Sequence, residues 1–237
     1  MILRIVDLFS GLHSWTQPFK KHEARIFSLD NNTEYQDSTS MIADILSKNA
    51  KEWSTLIRRW IGGRPHVLYA SIPCTCFSVA SFGHHWGGGH RAYIPKTPQA
   101  KQALKMTILM NEIILELNPD IVFIENPRGM LRKIPTMIET WGDNRITLWY
   151  CQYGPTAGIL RAKPTDIWGR WPDTWKPRPE CKNNNPECRH VRAKRGAKTG
   201  TQGLKNNAVR SMIPKELCKE IYDAIKKHYL LQEGEVI

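Results

Sequence analysis

The chain has 237 residues, 41% hydrophobic and 24% charged, which is ordinary for a globular protein that forms one domain with a substantial core. It has no apolar run of the roughly 20 residues that cross a bilayer and no recognisable signal peptide, so we expect a cytoplasmic protein with reduced cysteines. Its net charge of +12 favours a polyanionic partner, most simply nucleic acid, although such charge also occurs in proteins that are merely soluble and basic.

The first part of the chain alternates short apolar runs with helical segments. The apolar runs are typical of strands buried on both faces of a parallel sheet. They are residues 3–9, 25–30, 66–72, 120–126 and 145–151. Helical periodicity is found in residues 51–60, 98–117 and 213–231. This alternation predicts a doubly wound, mostly parallel α/β sheet, whose ligands bind beyond the carboxyl ends of the strands.

Composition divides the chain into three predicted parts. Residues 1–171 form a catalytic and cofactor-binding α/β domain, residues 172–205 a small basic insert, and residues 206–237 a C-terminal segment whose helix returns to that domain. Residues 172–210 contain ten lysines and arginines against three acidic residues. Because the insert is also rich in proline, asparagine and glycine, we expect a loop-built element that recognises the partner.

A glycine turn, "DLFSG", follows the first apolar run and precedes a helix. Gly11 lets the backbone approach a ligand, and a helix N-terminus offers free N–H donors. Asp30, about 20 residues further on, can hydrogen-bond a ribose hydroxyl. Asp44 could accept from an adenine amino group. Each acid alone is more often a helix cap or a surface charge, but their order favours a nucleoside-type cofactor.

Cys74 follows Pro73 at the carboxyl end of the third apolar run. The pair Cys74-x-Cys76 lacks the two-residue gap that is usual in metal sites and redox motifs. A thiol beside exposed backbone donors can instead ionise and act as a nucleophile. We interpret Cys74 as that nucleophile and Cys76 as core filler.

Four segments together resemble the DNA cytosine-5 methyltransferases, especially their short phage and prophage members. They are "DLFSG", "IPCTCFS", "IENPRGML" and "YCQYG…RAKPTDIWGR", in the family's order. The Pro-Cys and Glu-Asn elements are the most specific. The resemblance implies a Rossmann-like methyltransferase fold and transfer of a methyl group from S-adenosylmethionine to C5 of cytosine in double-stranded DNA, as in phage or restriction-modification DNA methylation.

The resemblance also implies a mechanism. Cys74 would add to C6 of a flipped-out cytosine, so that C5 can attack the methyl group, and a later β-elimination would free the thiol. Glu125 would hydrogen-bond or protonate N3, and Asn126 would hold the catalytic loop. The family's Gln-x-Arg-x-Arg element is not intact here. Arg161 and Lys163 are its candidates to contact the base O2 or position Glu125, and we favour Arg161.

Cofactor contacts are carried over in the same way. The implied S-adenosylmethionine contacts are Phe9, Gly11, Leu12, Asp30, Asn31, Asp44, Ile45, Pro73, Asn207 and Val209. His13 and Ser14 stand where the family usually has glycine, so the first turn departs from the family pattern. Residues 83–93 are predicted to form a mobile loop that closes over Cys74, with plain surface disorder as the alternative.

The insert contains the pattern Cys181-x6-Cys188-x-His190, which could bind zinc. A short loop with little core benefits from a metal. The spacing is loose and the sequence shows no fourth ligand, however, so we favour solvated cysteines and assign no metal site.

Two other functions remain open from the sequence. A tRNA cytosine-5 methyltransferase shares these motifs, although the Glu-Asn-Pro and Lys-Pro-Thr segments favour DNA. A catalytically silent nucleic-acid-binding relative would have the same fold, but Cys74 and Glu125 argue against it. We expect no membrane partner, and a monomer, because one chain encodes both the site and its recognition insert.

Overall fold

The backbone is organised around one large sheet. A computed structural model of the chain describes residues 1–19, 22–79, 81–87, 94–181, 185–191 and 207–234. Its strands are β1 (Leu3–Leu8), β2 (Ala24–Asp30), β3 (Ser40–Ile42), β4 (Val67–Ser71), β5 (Trp86–Gly87), β6 (Ile94–Pro95), β7 (Ile121–Pro127), β8 (Arg145–Trp149) and β9 (Pro164–Arg170). Seven of them form a sheet in the order β3-β2-β1-β4-β7-β9-β8, and β5 and β6 form a separate two-stranded ladder.

Six helices accompany the strands in the described residues. They are α1 (Ala50–Ile61), α2 (Phe82–His85), α3 (Pro98–Leu117), α4 (Pro135–Trp141), α5 (Asn207–Ser211) and α6 (Lys215–Gln232). A capping box from Asn49 and Glu52 begins α1, which ends at the left-handed Gly62. Thr97 caps α3, and the left-handed Asn118 ends it. None of these helices is long and apolar enough to cross a membrane.

The sheet is mostly parallel, as predicted. Strands β3, β2, β1, β4 and β7 run parallel, whereas β9 is antiparallel to both β7 and β8. The five predicted strands and three predicted helices are confirmed, with ends that shift by at most two residues. Strands β3 and β9 of this sheet and the short strands β5 and β6 were not predicted. The chain therefore has the expected α/β fold with an antiparallel strand near one edge.

Helices cover both faces of the sheet. One face packs Val6 and Leu8 against residues of α1, α3 and α4. The other face packs Ile5, Tyr69 and Phe123 against α6. On that second face Trp15 stacks on Tyr69 with ring centroids 5.2 Å apart. Burial on two sides explains why β1, β4 and β7 read as continuous apolar runs.

The strand order reverses between β1 and β4. Within the sheet, β2 is the neighbour of β1 on one side, and β4 is its neighbour on the other side. Connections that leave adjacent parallel strands in opposite directions open a crevice beyond their carboxyl ends. The turn after β1 and the segment from Pro73 to Cys74 after β4 both begin at this crevice.

The described part of the predicted insert packs on the α/β domain. Residues 172–181 and 185–191 contain no helix or strand element. Trp175 is buried edge-on against Phe123, and Arg178 forms ion pairs with Glu216 and Glu220 of α6. Residues 192–206, which include five of the insert's lysines and arginines, lie outside the described residues. The division into three parts remains a prediction.

Candidate active site

A cleft of about 100 Å³ lies beyond the carboxyl ends of β1, β4 and β7. Its walls are formed by Phe9, Ser10, Gly11, Leu12, Ser14, Trp15, Ser71, Ile72, Pro73, Cys74, Glu125, Pro127, Lys163, Ser211 and Ile213. This volume is smaller than the roughly 300–1,000 Å³ of most ligand pockets, so a larger ligand would extend out of the cleft. The cleft brings Cys74, Glu125 and Lys163 together.

Cys74 begins a 3₁₀ turn directly after β4. The turn is closed by the backbone N–H groups of Phe77 and Ser78, which both donate to the Cys74 carbonyl at 3.0 Å. The side chain is half-buried at the cleft wall. Burial raises the pKa of the Cys74 thiol above its ordinary value, whereas the positive charge of Lys163 lowers it and the charge of Glu125 raises it. Among the described residues, Lys163 is therefore the cation that favours a Cys74 thiolate most.

The carboxyl group of Glu125 is contacted by two side chains, those of Tyr150 and Lys163. Glu125 lies on β7 and is 5% exposed. The Tyr150 hydroxyl donates to Glu125 Oε1 at 2.9 Å, and Lys163 Nζ lies 3.7 Å from the same oxygen. Lys163 Nζ also lies 4.7 Å from the centroid of the Tyr150 ring. A tyrosine and a lysine thus fix the orientation of this buried carboxyl group.

Asn126 connects the two catalytic strand ends. Its Nδ2 donates at 2.8 Å to the carbonyl of Ile72, two residues before Cys74. Strands β4 and β7 are also in parallel register, with Ser71 opposite Glu125. This bond ties β7 to the segment that precedes Cys74, and the role of Asn126 in holding the catalytic loop remains a prediction.

A second clamp joins the loops that follow β4 and β7. Met130 N–H donates to the Phe77 carbonyl at 2.7 Å, and Ser78 pairs with Gly129 in an antiparallel bridge. A Cβ atom at Gly129 would lie 2.2 Å from the Phe77 carbonyl oxygen. Glycine is therefore required for this approach, which the sequence analysis did not identify.

The turn after β1 is shaped by left-handed residues and by Asp30. Phe9 and Gly11 have φ of 58° and 47°. Gly11 N–H donates to Asp30 Oδ2 and Asn32 N–H to Asp30 Oδ1, both at 2.9 Å. A carboxylate oxygen that accepts one such bond can still accept another from a ligand hydroxyl. A left-handed phenylalanine is strained, and such strain is concentrated at functional sites.

Only some of the other predicted cofactor residues line the cleft. Leu12 and Pro73 line the cleft with Phe9 and Gly11. Five of the remaining predicted residues do not line it, namely Asp30, Asn31, Asp44, Ile45 and Val209. Asp44 is exposed and caps a 3₁₀ turn by accepting from Leu46 N–H, and Ile45 is buried in the core. Asp44 thus has the capping role that the sequence left open.

The C-terminal segment reaches the cleft a little later than predicted. Asn207 and Val209 lie on α5, where the side chain of Asn207 is not described and Val209 is half-buried. Ser211 and Ile213, the next residues on that segment, line the cleft. The family resemblance identified this segment from two residues, Asn207 and Val209. Two matched residues could not show which side chains of the segment face the cleft.

Arg161 and Lys163 occupy different environments. Lys163 lines the cleft, whereas Arg161 does not, is 1% exposed, and has no hydrogen-bond partner for its guanidinium among the described residues. Burial lowers the pKa of Arg161 below its ordinary value. Arg161 is also paired with Val191 of the insert in an isolated parallel bridge. The geometry therefore favours Lys163 for the position next to Glu125, the reverse of our preference from the sequence.

The first part of the loop that is predicted to close over Cys74 is anchored by Trp86 to the turn that contains Cys74. Trp86 is buried against Phe77, with ring centroids 5.6 Å apart, and its Nε1 donates to the Cys76 carbonyl at 2.7 Å. Residues 88–93 of the predicted loop lie outside the described residues. Closure of this loop remains a prediction.

Comparison with known proteins identifies the family. A family model of C-5 cytosine-specific DNA methylases matches residues 3–167. The chain belongs to this family. The match includes all of the predicted catalytic residues, because they lie between Cys74 and Lys163. The insert and the C-terminal helix of this methylase follow the matched residues.

Two solved structures are similar to this methylase at low identity. One, from an Escherichia coli prophage, is assigned as a DNA modification methyltransferase; it has 13% identity and a TM-score of 0.48, over 71% of this chain and 47% of that one. The other, the Entamoeba histolytica methyltransferase EhMeth, has 15% identity and a TM-score of 0.49, over 78% and 58%. The methylase thus spans about half the length of either structure. A search among curated proteins found no match.

A second cluster of reactive side chains lies outside the cleft. Cys151, Cys181, Cys188 and His190 bring one potential ligand atom each to within 4.8 Å of one another. Cys181 is 1% exposed and His190 is 7% exposed. The interpretation of Cys181 as a solvated cysteine is therefore wrong. Cys151, which the sequence analysis left as part of a strand, is the fourth side chain that the loose spacing did not reveal.

Proposed function

We propose that this methylase transfers a methyl group from S-adenosylmethionine to C5 of a flipped-out cytosine in duplex DNA through a covalent Cys74–C6 intermediate. Family membership supports cytosine C5 as the target. The observation that carries the mechanism is that Cys74, Glu125 and Lys163 line one cleft beyond two neighbouring parallel strands. A half-buried thiol, an acid and a cation in one cleft match what addition to a pyrimidine ring requires.

The chemistry of each side chain follows from its position. Cys74 thiolate forms a bond to C6, the electron pair of the C5–C6 double bond moves into the ring, and C5 becomes nucleophilic. Glu125 hydrogen-bonds or protonates N3 and so stabilises the charge that develops in the ring. Lys163 stabilises the thiolate before attack and orients Glu125. After methylation a base such as water takes the C5 proton, and the electron pair of the C5–H bond restores the C5–C6 double bond. The S–C6 bond breaks at the same time, and its electron pair leaves with sulfur to regenerate the Cys74 thiolate.

The turn after β1 fits a nucleoside-type cofactor. Ser10 Oγ is buried at the cleft wall and has no hydrogen-bond partner among the described residues. No described atom lies within 4 Å of the place where a Cβ of Gly11 would be. Asp30 closes the same turn and can accept from a ribose hydroxyl. When bound there, S-adenosylmethionine supplies an electrophilic methyl group.

The partner proposed here is double-stranded DNA, bound by a monomer. The net charge of +12 and its concentration in residues 172–210 support phosphate contacts. A tRNA substrate would use the same cleft and the same charge, so the two substrates must be separated by experiment.

A trapping experiment tests both the chemistry and the substrate. Duplex DNA and tRNA, each with 5-fluorocytosine, are incubated with the methylase and S-adenosylmethionine. Fluorine at C5 cannot leave as a proton does, so the covalent adduct accumulates. We expect an adduct with DNA for the native chain and the control Cys76→Ser, and none for Cys74→Ser. An adduct with tRNA alone would overturn the DNA assignment, and none with either substrate would overturn the mechanism.

A further inference from the structure

The cluster of Cys151, Cys181, Cys188 and His190 is built from distant parts of the chain. Cys151 lies in the 3₁₀ turn Tyr150–Tyr153 that follows β8, whereas the other three belong to the insert. His190 Nδ1 is 3.6 Å from Cys181 Sγ and 3.1 Å from Cys188 Sγ. The four potential ligand atoms thus converge on one point at the junction between the insert and the sheet.

We propose that these four side chains bind a structural zinc ion. Zinc prefers four ligands in a tetrahedron, and three cysteines with one histidine are a common set. Zinc–ligand distances of about 2.0–2.3 Å place tetrahedral ligand atoms roughly 3.3–3.8 Å apart. The two nitrogen–sulfur distances from His190 Nδ1, 3.6 Å and 3.1 Å, lie at or close to that spacing. Small side-chain rotations would bring the four atoms to one ion.

The ligand types and the coordination number define the kind of site. Thiolates and imidazole select zinc over calcium or magnesium, which take oxygen ligands. Four protein ligands fill the tetrahedron and leave no position for a substrate or an activated water, so the site is structural. Asn185 Nδ2 lies 4.0 Å from Cys181 Sγ. An amide N–H in this position can donate to a thiolate that binds the metal, as second-sphere groups commonly do.

Packing or a disulfide accounts less well for the arrangement. None of the six cysteines forms a disulfide in this structure. Core cysteines usually pack singly among apolar side chains, whereas here three thiols and an imidazole nitrogen face one another. A segment with so few apolar residues gains little from packing, and a metal can supply that missing stability.

The ion would fix the base of the basic stretch to the catalytic domain. Val191, next to His190, donates its N–H to the Leu160 carbonyl at 2.8 Å and bridges to Arg161. Lys163 lies two residues beyond Arg161, at the cleft. Zinc would therefore tie together the end of β8, the segment that leads to Lys163, and the start of the basic residues from 192 onward. This inference does not depend on the proposed function.

Metal content tests the proposal directly. The full chain is purified without a histidine tag from zinc-supplemented cells, dialysed against a mild chelator and analysed by mass spectrometry for metals. We expect about one zinc ion per chain for the native protein. The double variant Cys181→Ser, Cys188→Ser should lose most of it. The matched control Cys76→Ser, Cys218→Ser removes two buried thiols outside the cluster and should retain it.

Cobalt substitution provides a measurement that needs no variant. Native protein reconstituted with Co²⁺ should show sulfur-to-cobalt charge-transfer bands and the strong visible bands of a tetrahedral site. A native protein without zinc and without these bands would overturn the proposal. So would zinc that persists in the variant of Cys181 and Cys188, or a disulfide between cluster cysteines found by peptide mass spectrometry.

Discussion

The hydroxyl of Tyr150 donates a 2.9 Å hydrogen bond to Oε1 of Glu125, and both side chains are buried. Lys163 reaches the same oxygen from the cleft side. Glu125, the acid that the proposed mechanism places at N3, is therefore oriented by a neutral donor and by a cation. Tyr150 does not line the cleft, so its hydroxyl acts on catalysis indirectly, through the hydrogen bond to Glu125.

Replacing Tyr150 with phenylalanine should slow methyl transfer without unfolding the protein. A hydrogen bond to a charged group contributes about 1.5–3 kcal/mol, so we expect a decrease in kcat of roughly 10- to 100-fold. Labelled S-adenosylmethionine and duplex DNA provide the assay. Tyr153→Phe is the matched control, because Tyr153 is a buried tyrosine of the same turn whose hydroxyl accepts from Arg178 N–H. Equal effects of the two substitutions would contradict a specific role of Tyr150.

Lys163 should control the ionisation of Cys74. The lysine charge stabilises the thiolate and opposes the burial that raises the Cys74 pKa, so Lys163→Met should move this pKa further upward. The rate of Cys74 alkylation by iodoacetamide, followed by peptide mass spectrometry as a function of pH, measures the change. We expect the midpoint to move to higher pH in the variant. The exposed substitution Lys219→Met should leave it unchanged, and a midpoint that moves to lower pH would refute this role.

The positions of the strand ends could be predicted from the sequence, whereas most contacts between distant side chains could not. Continuous apolar runs located β1, β4 and β7, and the order of parallel strands then placed Cys74 and Glu125 at one edge. Strand β9 was not predicted because its sequence, "PTDIWGR", has no continuous apolar run. It pairs with β7 in antiparallel direction, unlike the strands that the apolar runs located.

Contacts between distant residues depend on packing that no local pattern records. Tyr150 lies 25 residues from its partner Glu125, and nothing near either residue signals the bond. Cys151 lies 30 residues before Cys181 and is part of a strand-like run, so a search for a fourth ligand near the insert could not find it. For the same reason the sequence does not show which of the two basic side chains, Arg161 or Lys163, faces the cleft.

Gly129→Ala should destabilise the protein and displace the catalytic loop. The added Cβ would lie 2.2 Å from the Phe77 carbonyl oxygen, which itself accepts from Met130 N–H, so the two loops must move apart. Overpacking of this kind costs typically 1–3 kcal/mol, and the shift should also weaken covalent trapping by Cys74. Urea unfolding and adduct formation measure the two effects. Gly83→Ala is the control, because no described atom lies within 4 Å of its added Cβ. Equal stability of both variants would show that this contact is not tight in solution.

Asp7 should make the protein less stable as the pH rises. It is fully buried on β1, and neither carboxylate oxygen has a hydrogen-bond partner among the described residues. Burial, followed by the charges of Asp30 and Asp37, raises the pKa of Asp7 well above its ordinary value. In the unfolded chain this carboxyl group ionises near pH 4, so above that pH the folded state binds one more proton than the unfolded state.

The resulting loss of stability is about 1.4 kcal/mol per pH unit until the pH reaches the pKa of the folded state. Asp7→Asn removes this dependence. Its free energy of unfolding in urea should therefore fall less between pH 5 and pH 8 than that of the native chain, and at pH 8 the variant should be the more stable protein. Asp173→Asn, at an exposed position, should follow the native curve. Parallel curves for native chain and Asp7→Asn would mean that Asp7 is already ionised in the fold, held by a water or cation that offsets its burial.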